Sequence, residues 1–196
     1  NLPKLGKIRR VTFQMCQYSS RYDKFKNGII ENAFRPELSN GSLMDIGVYC
    51  VHPMVKILGK PDRVMASCVK LHNGVDGMGT ILASYDEQGA QAELIYSKIT
   101  DSPVPSQIQG EDGTMYMESL PILTKVWIRY RDKSREDISF ELEDPGNNMN
   151  YEITEFMRIA EANGSAETHN QYSVWEMQVM DEARRQMGIV FPADRG

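Results

Sequence analysis

Apolar residues recur along this chain at two periods. Val11, Phe13 and Met15 alternate with Arg10, Thr12 and Gln14, the pattern of a half-buried strand. The segment Tyr18–Asp23 is polar and reads as a loop, and the stretch to Asn40 is irregular. From Leu43 to Leu58 the apolar positions Leu43, Ile46, Cys50, Val51, Met54 and Leu58 predict a helix, with Gly59 as its stop before Pro61. Ser42 and Asp45 have the spacing of a capping box at its start. Strands follow at Arg63–Leu71, Thr80–Tyr85 and Ala90–Ser97. A hairpin is expected at Gln107–Gln109 and Thr114–Glu118, turning at Gly110–Gly113. Val126, Ile128 and Tyr130 alternate, as do Ile138, Phe140 and Leu142. Two helices close the chain. Ile153, Phe156, Met157 and Ala160 form one apolar stripe, and Met177, Met180, Ala183 and Met187 form another. Short loops between successive strands favour an antiparallel meander. The predicted class is α+β: a single domain over residues 1–196, with an open, mostly antiparallel β-sheet and helices packed on one face.

The helix at Leu43–Leu58 carries the most chemistry. Asp45, Tyr49 and His52 fall at i, i+4 and i+7 and share a face. A carboxylate, a phenol and an imidazole in line, opposite an apolar stripe, suggest a surface that touches a ligand. Asp45 also fits a first-turn cap, worth about 0.5–2 kcal/mol, and the two roles are compatible. Tyr49 also fits a half-buried aromatic with a wet hydroxyl.

Composition narrows the choice. The formal net charge is −5 and basic residues are not clustered, which argues against nucleic acid as a partner. No apolar run is long enough to span a membrane. Cys16, Cys50 and Cys68 lie in apolar segments without C-x-x-C spacing, reading as thiols in a reducing, cytoplasmic compartment. No metal site is expected: Cys50 and His52 point to different sides of their helix, and His72 and His169 are isolated. No G-x-S-x-G elbow is present. The methionines of the last two helices are expected in the core.

Four segments resemble, in order and spacing, the C-terminal domain of the Gfo/Idh/MocA oxidoreductases: Gly41–Tyr49, Leu58–Pro61, Ile108–Thr114 and Asp181–Pro192. The resemblance is to the branch that includes glucose-fructose oxidoreductase and dihydrodiol dehydrogenase. It implies the glyceraldehyde-3-phosphate dehydrogenase-like C-terminal fold. The family's helix motif, G-G-G-x-x-x-D-x-G-x-H-x-x-D, runs here through Ser39, Asn40, Gly41, Asp45 and Gly47. Tyr49 stands in its histidine slot and His52 in its last aspartate slot.

The resemblance further implies an N-terminal Rossmann domain binding NAD or NADP, which this sequence does not contain. No G-x-G-x-x-G follows a strand near the start, and no Glu-Lys-Pro supplies the family's lysine. The chain opens at Asn1 and reads as a domain cut from a longer protein, inactive in isolation. In the intact enzyme Tyr49 is expected to transfer the proton, with Asp45 orienting the substrate hydroxyl or the family's lysine. Arg21 and Tyr22 are expected to contact substrate, with His52 a further candidate. Gly47, costly inside a helix, is expected to allow close approach of another backbone or of the nicotinamide. The implied activity is hydride transfer between a nicotinamide and a sugar, polyol or diol, in a homo-oligomer assembled through the open sheet face. The alternative from another class is a non-catalytic carbohydrate-binding or assembly module.

Overall fold

The computed structural model describes residues 2–120, 122–141, 149–162 and 164–195; Leu142 of the last expected strand lies outside them. Among the described residues, eight strands form one sheet: β1 Ile8–Cys16, β2 Arg63–Lys70, β3 Asp76–Tyr85, β4 Ala90–Ser97, β5 Ser106–Gly110, β6 Gly113–Met117, β7 Lys125–Tyr130 and β8 Ile138–Glu141. Four α-helices accompany them: α1 Ser20–Lys26, α2 Val48–Leu58, α3 Met149–Glu161 and α4 Glu167–Met187.

The strand order is β2-β3-β4-β1-β5-β6-β7-β8. Neighbours are antiparallel except β1 and β4, which run parallel with Val11 opposite Ala92. The simple meander expected from short loops is therefore interrupted: the first strand sits in the middle of the sheet. Local pattern fixes that a strand exists, not which neighbour it pairs with.

Inward positions alternate as expected. Val11, Phe13, Ile81, Leu94, Tyr96, Ile108 and Ile128 pack against Cys50, Val51 and Met54 of α2 and Val179, Met180 and Ala183 of α4. Gln107, Thr114, Tyr116, Trp127 and Arg129 alternate with buried neighbours and lie on the opposite face, where the Tyr116 and Trp127 rings stack at 5.2 Å. β2 is an edge strand, and its Met65 is 67% exposed despite the strand's apolar content.

β3 begins earlier than its pattern suggests because Gly77 and Gly79 interrupt the alternation. Gly79 lies under the buried Tyr96 ring: a Cβ there would collide with Tyr96 Oη and stand 2.6 Å from its Cζ.

Two expectations fail on the helices. Tyr18–Asp23 is not all loop, since α1 starts at Ser20, with Ser19 Oγ accepting the Arg21 N–H at 3.3 Å. Its polar majority hides one apolar contact pair, Tyr22 and Phe25, which packs with Phe34 in a second small core. The stripe on α3 is real but not covered by the described residues: no α3 residue is buried, and Phe156 is 71% exposed. Of the helix methionines, Met180 and Met187 are buried while Met157 and Met177 are exposed. Helical spacing shows that a face is apolar, not what covers it.

Candidate functional site

The site begins where β3 meets the start of the long helix. Ser42 does not form the expected capping box. Its hydroxyl has no hydrogen-bond partner among the described residues. The cap comes from Asp76, the first residue of β3, whose Oδ2 accepts the Leu43 N–H at 2.6 Å. Gly41 makes room, since a Cβ there would collide with Asp76 Oδ1. A cap from a distant strand leaves no local spacing to read.

Burial raises the Asp76 carboxyl from its ordinary 3.8 to about 6, against the opposing pull of the Leu43, Asp76 and Ser42 backbone N–H groups. The folded state thus holds this proton at pH values where the unfolded chain releases it. The linked stability is complete below about pH 4 and is lost as pH rises through about 6. Relative to Asp76→Asn, the wild type should lose about 2–3 kcal/mol of unfolding free energy between these limits. Urea unfolding of both proteins at the two ends of the window measures this; a constant difference would refute it.

Leu43–Gly47 is not α-helical but a single π turn, in which the Val48 N–H reaches the Leu43 carbonyl five residues back. Such turns are rare and often sit at functional sites. Gly47 closes the turn and is buried. A Cβ on it would lie 2.9 Å from Leu43 Cδ1 and 3.3 Å from the Tyr96 ring. Helix-to-sheet packing therefore accounts for this glycine without a cofactor.

Asp45, Tyr49 and His52, expected on one face, have different partners. Asp45 turns toward the end of β4 and pairs with Lys98. Tyr49 is 46% exposed, and its hydroxyl makes no hydrogen bond among the described residues. His52 Nδ1 lies 2.7 Å from Glu176 Oε2 and ties α2 to α4. The π turn adds one residue to the period that the expected spacing assumed between Asp45 and Tyr49.

Lys98 is the residue that sequence reasoning missed. It follows β4 directly, is only 5% exposed, and sets its ammonium 5.9 Å from the Phe34 ring centre. Its one available signal was a lysine closing an alternating strand, which normally reads as a solvated end. Arg21 and Tyr22 separate as well: Arg21 is exposed and 3.6 Å from Glu31, while Tyr22 joins the aromatic cluster around Phe34. A cavity of about 600 Å³, lined by Arg63, Met65, Leu82 and Val179 among others, lies at the β2 edge and includes none of Asp45, Tyr49 and Lys98.

Cys16, Cys50 and Cys68 are free thiols, and burial pushes Cys50 up, which makes it unreactive. Among the described residues no three His, Cys, Asp or Glu side chains are grouped to hold a metal. Nor is any described helix long and apolar enough to cross a membrane.

The family model of the GFO/IDH/MocA C-terminal domain matches residues 3–116. This chain belongs to the Gfo/Idh/MocA family. Over its whole length, this Gfo/Idh/MocA domain is 48% identical to the NADP⁺-dependent scyllo-inositol 2-dehydrogenase IolU of Bacillus subtilis, and it covers 59% of that protein. It is 26% identical over 84% of its length to a trans-1,2-dihydrobenzene-1,2-diol dehydrogenase of Danio rerio, covering 52% of it. The domain thus spans little more than half the length of these curated relatives. In fold it is similar to the crystal structure of KijD10, a 3-ketoreductase from Actinomadura kijaniata in complex with NADP and TDP-benzene. The TM-score is 0.75 at 18% identity, covering 93% of this chain and 55% of that one.

Proposed function

We propose that this domain is the substrate-binding and proton-transferring part of an NADP-dependent dehydrogenase acting on a sugar, polyol or diol. The observation that carries the reading is the exposed Tyr49 hydroxyl, unpartnered among the described residues, one turn beyond Asp45, which is itself partly exposed and pairs through one oxygen only among those residues. Oxidation of an alcohol needs an acceptor for the hydroxyl proton, a role the Tyr49 oxygen would fill as a phenolate, the form favoured by a neighbouring cation such as the lysine that the proposed Rossmann domain would bring. An open carboxylate oxygen can accept a hydrogen bond from a neighbouring substrate hydroxyl and orient it. A nicotinamide, when bound, supplies the hydride chemistry. Its phosphates need a glycine-rich turn at a helix N-terminus, which this sequence lacks, so the cofactor is assigned to a Rossmann domain outside these residues. The kinship with a relative named for NADP⁺ and an inositol supports the cofactor and the polyol class.

The sheet face free of helices, with its Tyr116–Trp127 stack and exposed Met65 and Leu82, is the surface proposed for self-association. His52, held by Glu176, is given a structural role, and Arg21 and Tyr22 are placed at the margin of the site.

The test is turnover by the full-length protein on inositols, aldoses and a trans-diol with NADP⁺ or NAD⁺, followed by reduced-cofactor absorbance. At least one polyol should be oxidised, with NADP⁺ preferred. Carbohydrate binding without any cofactor reduction would favour the non-catalytic module instead.

A further inference from the structure

Lys98 is a costly residue to keep where it is. A lysine rarely goes fully inside, and a hydrophobic residue of similar volume packs such a site at least as well as an ion pair does. The pair with Asp45 is therefore weak evidence for stability and better evidence for placement. The backbone around it is pinned on both sides: the Lys98 N–H donates to the Gly77 carbonyl and the Lys98 carbonyl accepts the Ser19 N–H, each at 2.9 Å. Ser97 Oγ fixes the turn that follows by accepting the Thr100 N–H at 2.9 Å. The ammonium itself lies over the Phe34 ring, 5.9 Å from its centre. Among the described residues its partner is Asp45 alone, through Oδ2. Asp45 in turn lies in the π turn, its N–H donating to the Gly41 carbonyl at 3.1 Å.

We propose that Lys98 is a positioning residue that clamps Oδ2 of Asp45 and so aims Oδ1 at a substrate hydroxyl. This rests on the dehydrogenase reading given above. Lys98 itself is too buried, and too fully engaged, to touch the substrate. Its effect runs wholly through Asp45. A lysine placed only for packing would act independently of that carboxylate.

A double-mutant cycle on the full-length enzyme separates the two. Lys98→Met is expected to lower kcat/KM for the polyol about 10- to 100-fold, with the KM for NADP⁺ unchanged. In an Asp45→Asn background the same substitution should cost less than about twofold, because there is no carboxylate left to aim. Lys98→Gln, which keeps a donor, should fall between, and it replaces Lys98→Met if circular dichroism shows the latter unfolded. Additive losses, or no loss from Lys98→Met, overturn the clamp while leaving the dehydrogenase reading intact. An Asp45→Asn enzyme with wild-type turnover, or a wild type without turnover on any polyol, overturns both.

Discussion

On the dehydrogenase reading proposed above, Tyr49→Phe should cut kcat about 100- to 10,000-fold, the usual worth of a general acid–base group. The substitution removes one oxygen from a ring that is 46% exposed, and no hydrogen bond among the described residues is lost with it. Unfolding midpoints should match the wild type, and so should cofactor affinity, because the phenol is not part of a phosphate-binding turn. The loss should therefore appear in kcat, with substrate KM changing little. Steady-state kinetics beside a urea melt of the same preparation make the comparison. A variant retaining near-wild-type turnover would remove Tyr49 from the chemistry.

The largest effect on stability is expected at Tyr96. This ring is 1% exposed and fills the space between the sheet and the helix that carries Asp45 and Tyr49. Gly79 lies beneath it on β3, and Gly47 approaches it from the π turn. Two glycines facing one aromatic ring show a gap shaped for it, and neither can supply side-chain atoms to refill it. Tyr96→Ala should therefore cost about 3–5 kcal/mol, the range for aromatic truncation in a core that collapses poorly. Tyr96→Phe should cost under about 1 kcal/mol, since the hydroxyl's contact is a weak 3.5 Å one to Met187 Sδ. Denaturant unfolding of the pair checks both. Equal losses would mean that the hydroxyl, rather than the ring's volume, holds the helix to the sheet.

What could be read from the sequence was whatever is encoded by nearby residues. Alternation at Val11–Met15 and Ala90–Ser97 placed strands where they occur, and the glycines ending the long helix and α4 marked their stops. The family followed from ordered motifs, and the match over residues 3–116 shows it. What escaped was set by residues far apart in the chain. The cap on Leu43 comes from Asp76, the partner of Asp45 is Lys98, and His52 answers to Glu176. Each of those pairings depends on the order of strands and on which helix crosses which, and no period in the sequence records either. The π turn adds a second obstacle. One extra residue in a single turn is invisible to a periodicity argument.

The central place of β1 has a consequence for how the domain is made. Both of its edges wait for partners far downstream: Val11 pairs with Ala92 on one side and Ile108 on the other. At translation rates of about 5–20 residues per second, the nascent strand stays unpaired for roughly 4–16 seconds before β4 emerges. For that time Val11, Phe13 and Met15 are an apolar ribbon with two open edges, the kind of segment that recruits its own copies on a crowded polysome. Arg9 and Arg10 at its entrance carry the charge that discourages such encounters. Sequestering this ribbon until β4 arrives, by a holdase or by dilution of the ribosomes, should raise the soluble yield more than any gain in the stability of the finished fold.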